Sequence, residues 1–281
     1  MYKGFIVDDF DENPDFSGVN TKTGLEIVKY ALSNENEYLT NATFNSCLSD
    51  FIIQDSIDKD IILDGSRIVD TFFPNVKADI FISHSHKDVE AAKEFAKIIY
   101  VKTGLKSFID SEVWSYADDL LKDIDFDYCL KANGSYSYEK RNISTSYVHM
   151  MLNTALLNML DRCECLFFLS TPNSFNKEQE IKNTTFSPWI YSELSMANAI
   201  EKRIPVRYDE INKALREQST VEFSQEDSLP DFKIAMKPNT CNLISCDCQR
   251  LRNWLSKCSF SKSLENLDAL YKMFRSQVVY E

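Results

Sequence analysis

Trp189 and Glu193 stand four residues apart in the segment Ser187-Pro188-Trp189-Ile190-Tyr191-Ser192-Glu193-Leu194. On a helix that spacing stacks an indole and a carboxylate on one face, a turn apart. Met196, Ala197 and Ile200 continue the face with apolar side chains. A carboxylate among apolar neighbours beside a crevice can stabilise a developing cation or move a proton. The same Glu on the solvated side of an amphipathic helix does neither. A second constellation is His84-Ser85-His86 with Asp88. Two histidines on alternate sides of an extended segment rarely share a metal without further ligands, so no metal is expected. A serine and a histidine adjacent in sequence seldom have the geometry of a nucleophile and its base. Cys241, Cys246, Cys248 and Cys258 lack paired C-x-x-C units and are expected to be free thiols. The chain has six glycines and neither G-x-G-x-x-G nor G-x-x-x-x-G-K-[ST]. Any nucleotide it handles is therefore held without the two commonest phosphate loops.

The elements that must position these residues alternate between strand and helix from residue 78 onward. Ala78–Ser83 and Glu164–Leu169 are short apolar runs suited to strands buried on both faces, and Leu105–Asp110 is a further strand. Asp88 is suited to cap a helix carrying Val89, Ala92, Phe95, Ala96 and Ile99, which Gly104 stops. Residues 111–146 read as a long polar connection, followed by a helix over Tyr147–Arg162. Ser187 as N-cap with Pro188 at the first helical position opens the helix that carries Trp189 and Glu193. Arg203–Tyr208 is expected as a fourth strand and Asn242–Ser245 as a fifth, with helices near 247–258 and 262–277. This alternation predicts an α/β fold, a parallel sheet flanked by helices, with ligands beyond the carboxyl ends of its strands. Residues 1–77 are patterned differently, with helical spacing over 20–34 and 38–55, and are expected to form a small, mostly helical N-terminal appendage. Phe5-Ile6-Val7-Asp8-Asp9 resembles the opening strand of a response-regulator receiver, but no acceptor aspartate follows a suitable later strand.

Charge narrows the partners. The net charge is −12, and residues 1–77 hold 14 of the 43 acidic residues against 6 of the 31 basic ones. Such a surface repels phosphate backbones and anionic lipid, so nucleic acid and membrane are not expected partners. No 18-residue apolar run and no signal-peptide pattern is present, which predicts a cytoplasmic protein.

Asp79-Ile80-Phe81-Ile82-Ser83-His84-Ser85-His86-Lys87-Asp88 resembles the opening strand motif of Toll/interleukin-1 receptor (TIR) domains. Leu105–Asp110, Glu164–Thr171 and Ser187–Leu194 follow in that family's order, and the resemblance covers roughly residues 77–258. The Trp-x-x-x-Glu pair is similar to that of bacterial TIR enzymes, including those of the Thoeris type of antiphage defence. The resemblance implies a flavodoxin-like TIR domain over 78–258 and a C-terminal helix over 259–281. It implies NAD as substrate rather than cofactor, with the bond between ribose and nicotinamide cleaved. That leaving group departs as a neutral base from a cationic pyridinium, so one carboxylate suffices without a general acid. By this resemblance Glu193 is catalytic, holding the ribose hydroxyls and stabilising the oxocarbenium-like charge. Trp189 stacks on a flat ring of the substrate. Ser83, His84, Asp110, Trp114 and Ser187 complete the implied substrate-binding set. Asp110 and Trp114 match a mobile loop that in the family is shorter and often carries a glycine; here no glycine follows until Gly134. The resemblance further implies a homo-oligomer on activation and a nucleotide signal that reaches a downstream effector. The other reading is a non-catalytic TIR protein–protein interaction module.

Overall fold

The computed structural model describes residues 1–8, 10, 48–55, 61–114, 117–176, 182–208 and 235–274. The helix expected over 20–34 and most of that over 38–55 lie outside the described residues. The chain divides into two compact units, one formed by Met1–Val28, Ala78–Ser107 and Leu160–Glu281, the other by Lys29–Lys77 and Phe108–Met159.

The first unit is built on a five-stranded parallel sheet. Its strands are β1 (Lys3–Asp8), β4 (Ile80–Ser83), β5 (Ser107–Phe108), β6 (Cys165–Leu169) and β7 (Leu243–Asp247), in the order β5-β4-β6-β1-β7. The α/β, flavodoxin-like arrangement expected from the sequence is present. Its membership differs from expectation at two places. Residues 3–8, expected in the appendage, are an inner strand that pairs with β6 on one side and β7 on the other. A boundary at residue 77 therefore does not separate the sheet from the segment before it. Arg203–Tyr208 is not a strand; Val206–Tyr208 is a single 3-10 turn. The position beside β6 is taken by β1. The segment is instead held by the Arg203 N–H donating to the Met1 carbonyl and by Arg207, which donates to both carboxylate oxygens of Glu164 at 2.8 and 2.6 Å.

Alternation along the inner strands supplies both faces of the sheet. Phe5 and Phe167 are register partners and stack at 5.6 Å on one face. There they meet Phe95 of α2 (Val89–Thr103), Trp254 of α7 (Cys248–Lys257), and Tyr271 with Phe274 at the end of α8 (Ser263–Met273). The next residues along, Ile6 and Phe168, face the other way and pack with Ile190 and Leu194 of α6 (Pro188–Ala199). Gly104 ends α2 in the left-handed conformation, φ 72°. A Cβ there would lie 2.7 Å from the Phe260 carbonyl oxygen, so only glycine fits.

The second unit contains a hairpin of β2 (Ile52–Asp55) with β3 (Ile61–Leu63), then α1 (Gly65–Phe72), α3 (Asp110–Val113), α4 (Ala117–Ile124), a π-helix over Asp125–Cys129 and most of α5 (Tyr138–Arg162). The connection over 111–146, expected to be irregular, is thus largely helical. Asp125 is buried. Burial alone would raise its carboxyl, but hydrogen bonds from Ser144 Oγ and Arg141 Nε hold it below the usual carboxylate range. Among the described residues no helix is long and apolar enough to cross a membrane.

Because β1 is an inner strand, Phe5→Ala removes a ring that touches three others. Urea denaturation should register a loss of about 3–5 kcal/mol, the usual range for a buried Phe truncated to Ala. Deleting residues 1–10 should abolish the cooperative transition; a deleted chain that still unfolds cooperatively would remove β1 from the core.

Candidate functional site

The connections around the sheet fix where a ligand crevice must open. From β4 the chain runs through α2 on one face to β5, and from β6 it runs through α6 on the other face toward β7. The direction of winding therefore reverses between β4 and β6. Crevices in parallel sheets form at such a reversal, beyond the carboxyl ends of the two strands.

Ser83 is the last residue of β4 and the register partner of Phe168. Register partners in a parallel sheet point to the same face, so Ser83 faces α6 with Phe168. On α6 the buried positions are Ile190, Glu193, Leu194 and Ala197, the spacing of one helical stripe. Glu193 sits in that stripe only 3% exposed, and its Oε2 accepts a hydrogen bond from Ser83 Oγ at 2.5 Å. Two residues 110 apart in sequence are thereby joined at the reversal point. The Ser187 hydroxyl caps α6 by accepting from the Ile190 N–H at 3.3 Å, and its own N–H donates to Thr185 Oγ1 at 3.1 Å. Ser187 thus sets where the helix starts and, through the helix, where Glu193 projects. Trp189 lies in the first turn, half-buried, four residues before Glu193.

His84 follows Ser83 and is buried, with Nδ1 3.4 Å from the Ile82 carbonyl oxygen. His86 is exposed. Asp88 stands at the N-cap position of α2, as expected, but its side chain does not cap the helix. Its carboxylate instead accepts from Thr171 Oγ1 and Asn173 Nδ2, both at 2.6 Å. Thr171 follows β6, and its N–H donates to Ser174 Oγ, which in turn donates to the Leu169 carbonyl. This buried polar network ties the loop after β4 to the loop after β6, the two walls of the reversal point. Sequence reading did not select Thr171, Asn173 or Ser174. Their only signal was polarity immediately after a fully apolar strand.

Asp110 and Trp114 belong to the second unit. Asp110 opens α3 and is half-buried. Trp114, which the resemblance places in the substrate-binding set, lies in the buried part of this unit. It is 4% exposed, packed edge-on against Phe73 and Phe108, and its indole N–H donates to the Pro74 carbonyl at 3.2 Å. Buried, and with its one polar atom engaged, it packs as a core residue.

Among the described residues no group of three or more His, Cys, Asp and Glu side chains is disposed to hold a metal ion. Burial pushes the thiols of Cys163, Cys165 and Cys246 up, so these cysteines remain protonated core residues. The chemistry available at the β4–β6 reversal is that of the Glu193 carboxyl shielded from water, a hydroxyl aligned on it and an indole a turn away, beside an Asp88 carboxylate held by its own donors. When ionised, a shielded carboxyl interacts more strongly with a nearby cation than a solvated one does.

No protein-family model, curated protein or solved structure matches the chain.

The Asp88 network yields a stability prediction. Thr171→Val keeps the shape of the side chain and removes one of the donors to a buried carboxylate. Chemical denaturation should show a loss of about 1–3 kcal/mol. A variant as stable as the parent would mean that the carboxylate is solvated and the loops are not tied through it.

Proposed function

We propose that the chain is a NAD-cleaving enzyme of the TIR type, acting in bacterial antiphage immunity. In this reading it breaks the bond between ribose and nicotinamide and gives an ADP-ribose-derived product or signal. The observation that carries the reading is the buried Glu193 carboxylate, hydrogen-bonded to Ser83 at the point where the winding of the sheet reverses. A carboxylate excluded from water costs stability, and a purely structural helix has no need of one in its buried stripe.

The reaction needs only one carboxylate at the reacting centre. Nicotinamide leaves as a neutral molecule, taking the bonding electron pair into its cationic ring. Positive charge moves onto the ribose, where it is shared between the anomeric carbon and the ring oxygen. Glu193 is the group that opposes this charge as it develops. The Ser83 hydroxyl holds the carboxylate in one orientation, so little reorganisation is needed as the bond breaks. Trp189, in the first turn of the same helix, is in this reading the ring that stacks on the substrate. The product depends on which nucleophile reaches the cation: water gives ADP-ribose, and a hydroxyl or ring nitrogen of the nucleotide itself gives a cyclic product.

Glu193→Gln is the test. The substitution preserves size and hydrogen-bonding capacity and removes the charge. Nicotinamide release, followed by chromatography with mass spectrometry, should fall on the order of 10²–10³-fold, the usual cost of losing one electrostatic contact to a transition state. Thermal stability should change little, because Gln keeps the size and the hydrogen-bonding capacity of the side chain that meets Ser83 Oγ. Equal rates would remove Glu193 from the chemistry. Absence of release from the parent under activating conditions would favour the interaction-module reading.

A further inference from the structure

Helix α5 carries a feature that the reading of Glu193 does not use. Its inner side is buried through Ser144, Val148, Ala155 and Met159. About 140° around the helix, at 100° per residue, Ile143, Tyr147, Met150, Thr154 and Leu157 form a single line. Their spacings are 4, 3, 4 and 3, the alternation of a helix–helix seam with Ile143, Met150 and Leu157 at one core position and Tyr147 and Thr154 at the other. The seam faces outward: Ile143 is 56% exposed, Tyr147 62%, Met150 63% and Leu157 39%. Residues 142–160 contain no Asp, Glu, Lys or Arg, although the chain as a whole carries −12. The residues beside the seam, Ser146, Asn153 and Asn158, are polar and uncharged.

We infer that this face of α5 is a docking surface for a second copy of the same chain, the two helices running antiparallel about a two-fold axis. Three arguments select that occupant. First, the seam is self-complementary. A two-fold axis passing between Val148 and His149 carries Tyr147 onto Met150 and Ile143 onto Thr154, so four of the five seam positions meet one another, and Leu157 falls opposite Lys140 at the end of the seam. The two central contacts are then identical Tyr–Met pairs, a favourable sulfur–aromatic combination. Second, two chains of −12 repel each other, and close approach is least opposed where both surfaces lack charge. Depletion of charge at the centre of a patch, with aromatic residues and Met retained, is the composition of an interface core. Third, the area fits a weak dimer. With side-chain areas on the order of 150–250 Å², the four apolar residues expose about 400 Å² per copy, about 800 Å² for two copies before their polar flanks are added, the size of a weak, transient interface. The dimer is accordingly concentration-dependent rather than permanent.

The register makes the inference testable without reference to catalysis. Sedimentation equilibrium of the full chain should show a reversible monomer–dimer equilibrium. Tyr147→Glu and Met150→Lys, both at exposed positions, should each weaken dimerisation at least tenfold while circular dichroism remains that of the parent. An equimolar mixture of the two variants should associate more tightly than either alone, because the carboxylate introduced at 147 meets the ammonium introduced at 150 across the axis. If either variant fails to fold, Ile143→Lys mixed with Thr154→Glu reads the same register. A parent chain that stays monomeric at all concentrations would overturn the inference, as would dimerisation unaffected by the single variants. A mixture no tighter than its components would overturn the two-fold register, as it would if another segment of the chain or a different protein covers the face.

Discussion

The sheet depends on one strand inserted from the start of the chain. A parallel strand buried on both faces must present apolar side chains alternately to each, and β1 does so with Phe5 toward α2, α7 and α8 and Ile6 toward α6. It also supplies the hydrogen-bonding edge for both neighbours, β6 and β7. Without it, β7 has no strand to join, and the helix that follows β7 loses its place on the sheet. The segment after α6, which had the composition to fill this place, is displaced to the surface and clamped there by Arg207 between Glu164 and Asp268.

The same alternation builds the candidate site. Ser83 faces α6 because its register partner Phe168 does, and Phe168 faces α6 because its neighbour Phe167 is engaged on the opposite side. Glu193 meets Ser83 because the cap at Ser187 sets the phase of the helix that carries it. No step in this chain of placement requires a glycine-rich loop. The two loops that flank the site are joined instead by hydrogen bonds to Asp88, a buried carboxylate whose donors come from the end of the adjacent strand. A glycine-poor sequence can thus tie together the two loops at the reversal point with side-chain hydroxyls and amides.

Much of this was legible in the sequence, and what was not has a physical reason. β4 and β6 are apolar runs of strand length, the stop at Gly104 and the start at Ser187-Pro188 are local signals, and all act as read. The pairing of β1 with β6 joins residues about 160 positions apart, and nothing near Lys3–Asp8 encodes which sheet it enters. Arg203–Tyr208 has the composition of a strand, but a strand exists only where an edge is free to receive it. The region 111–146 is polar because its helices expose most of their surface, and α4 buries only Leu120. Trp114 lies in a segment matched to a binding loop, yet its aromatic neighbours Phe73 and Phe108 draw it into a core. Glu193 was singled out by its place in the Trp-x-x-x-Glu pair of the family resemblance, and the structure puts it beside Ser83; Thr171 and Asn173 were missed because small polar residues after a strand look like any solvated turn.

The central claim is that the Ser83–Glu193 pair marks the place where a nucleotide with a cationic ring is held. Hydrogen-exchange mass spectrometry of the full chain, with and without NAD, reads this directly and does not require turnover. The account predicts slowed exchange concentrated in the segments after β4 and at the start of α6, around His84–Asp88 and Ser187–Leu194. Unchanged exchange in both segments at saturating NAD, or protection confined to other parts of the chain, would contradict it.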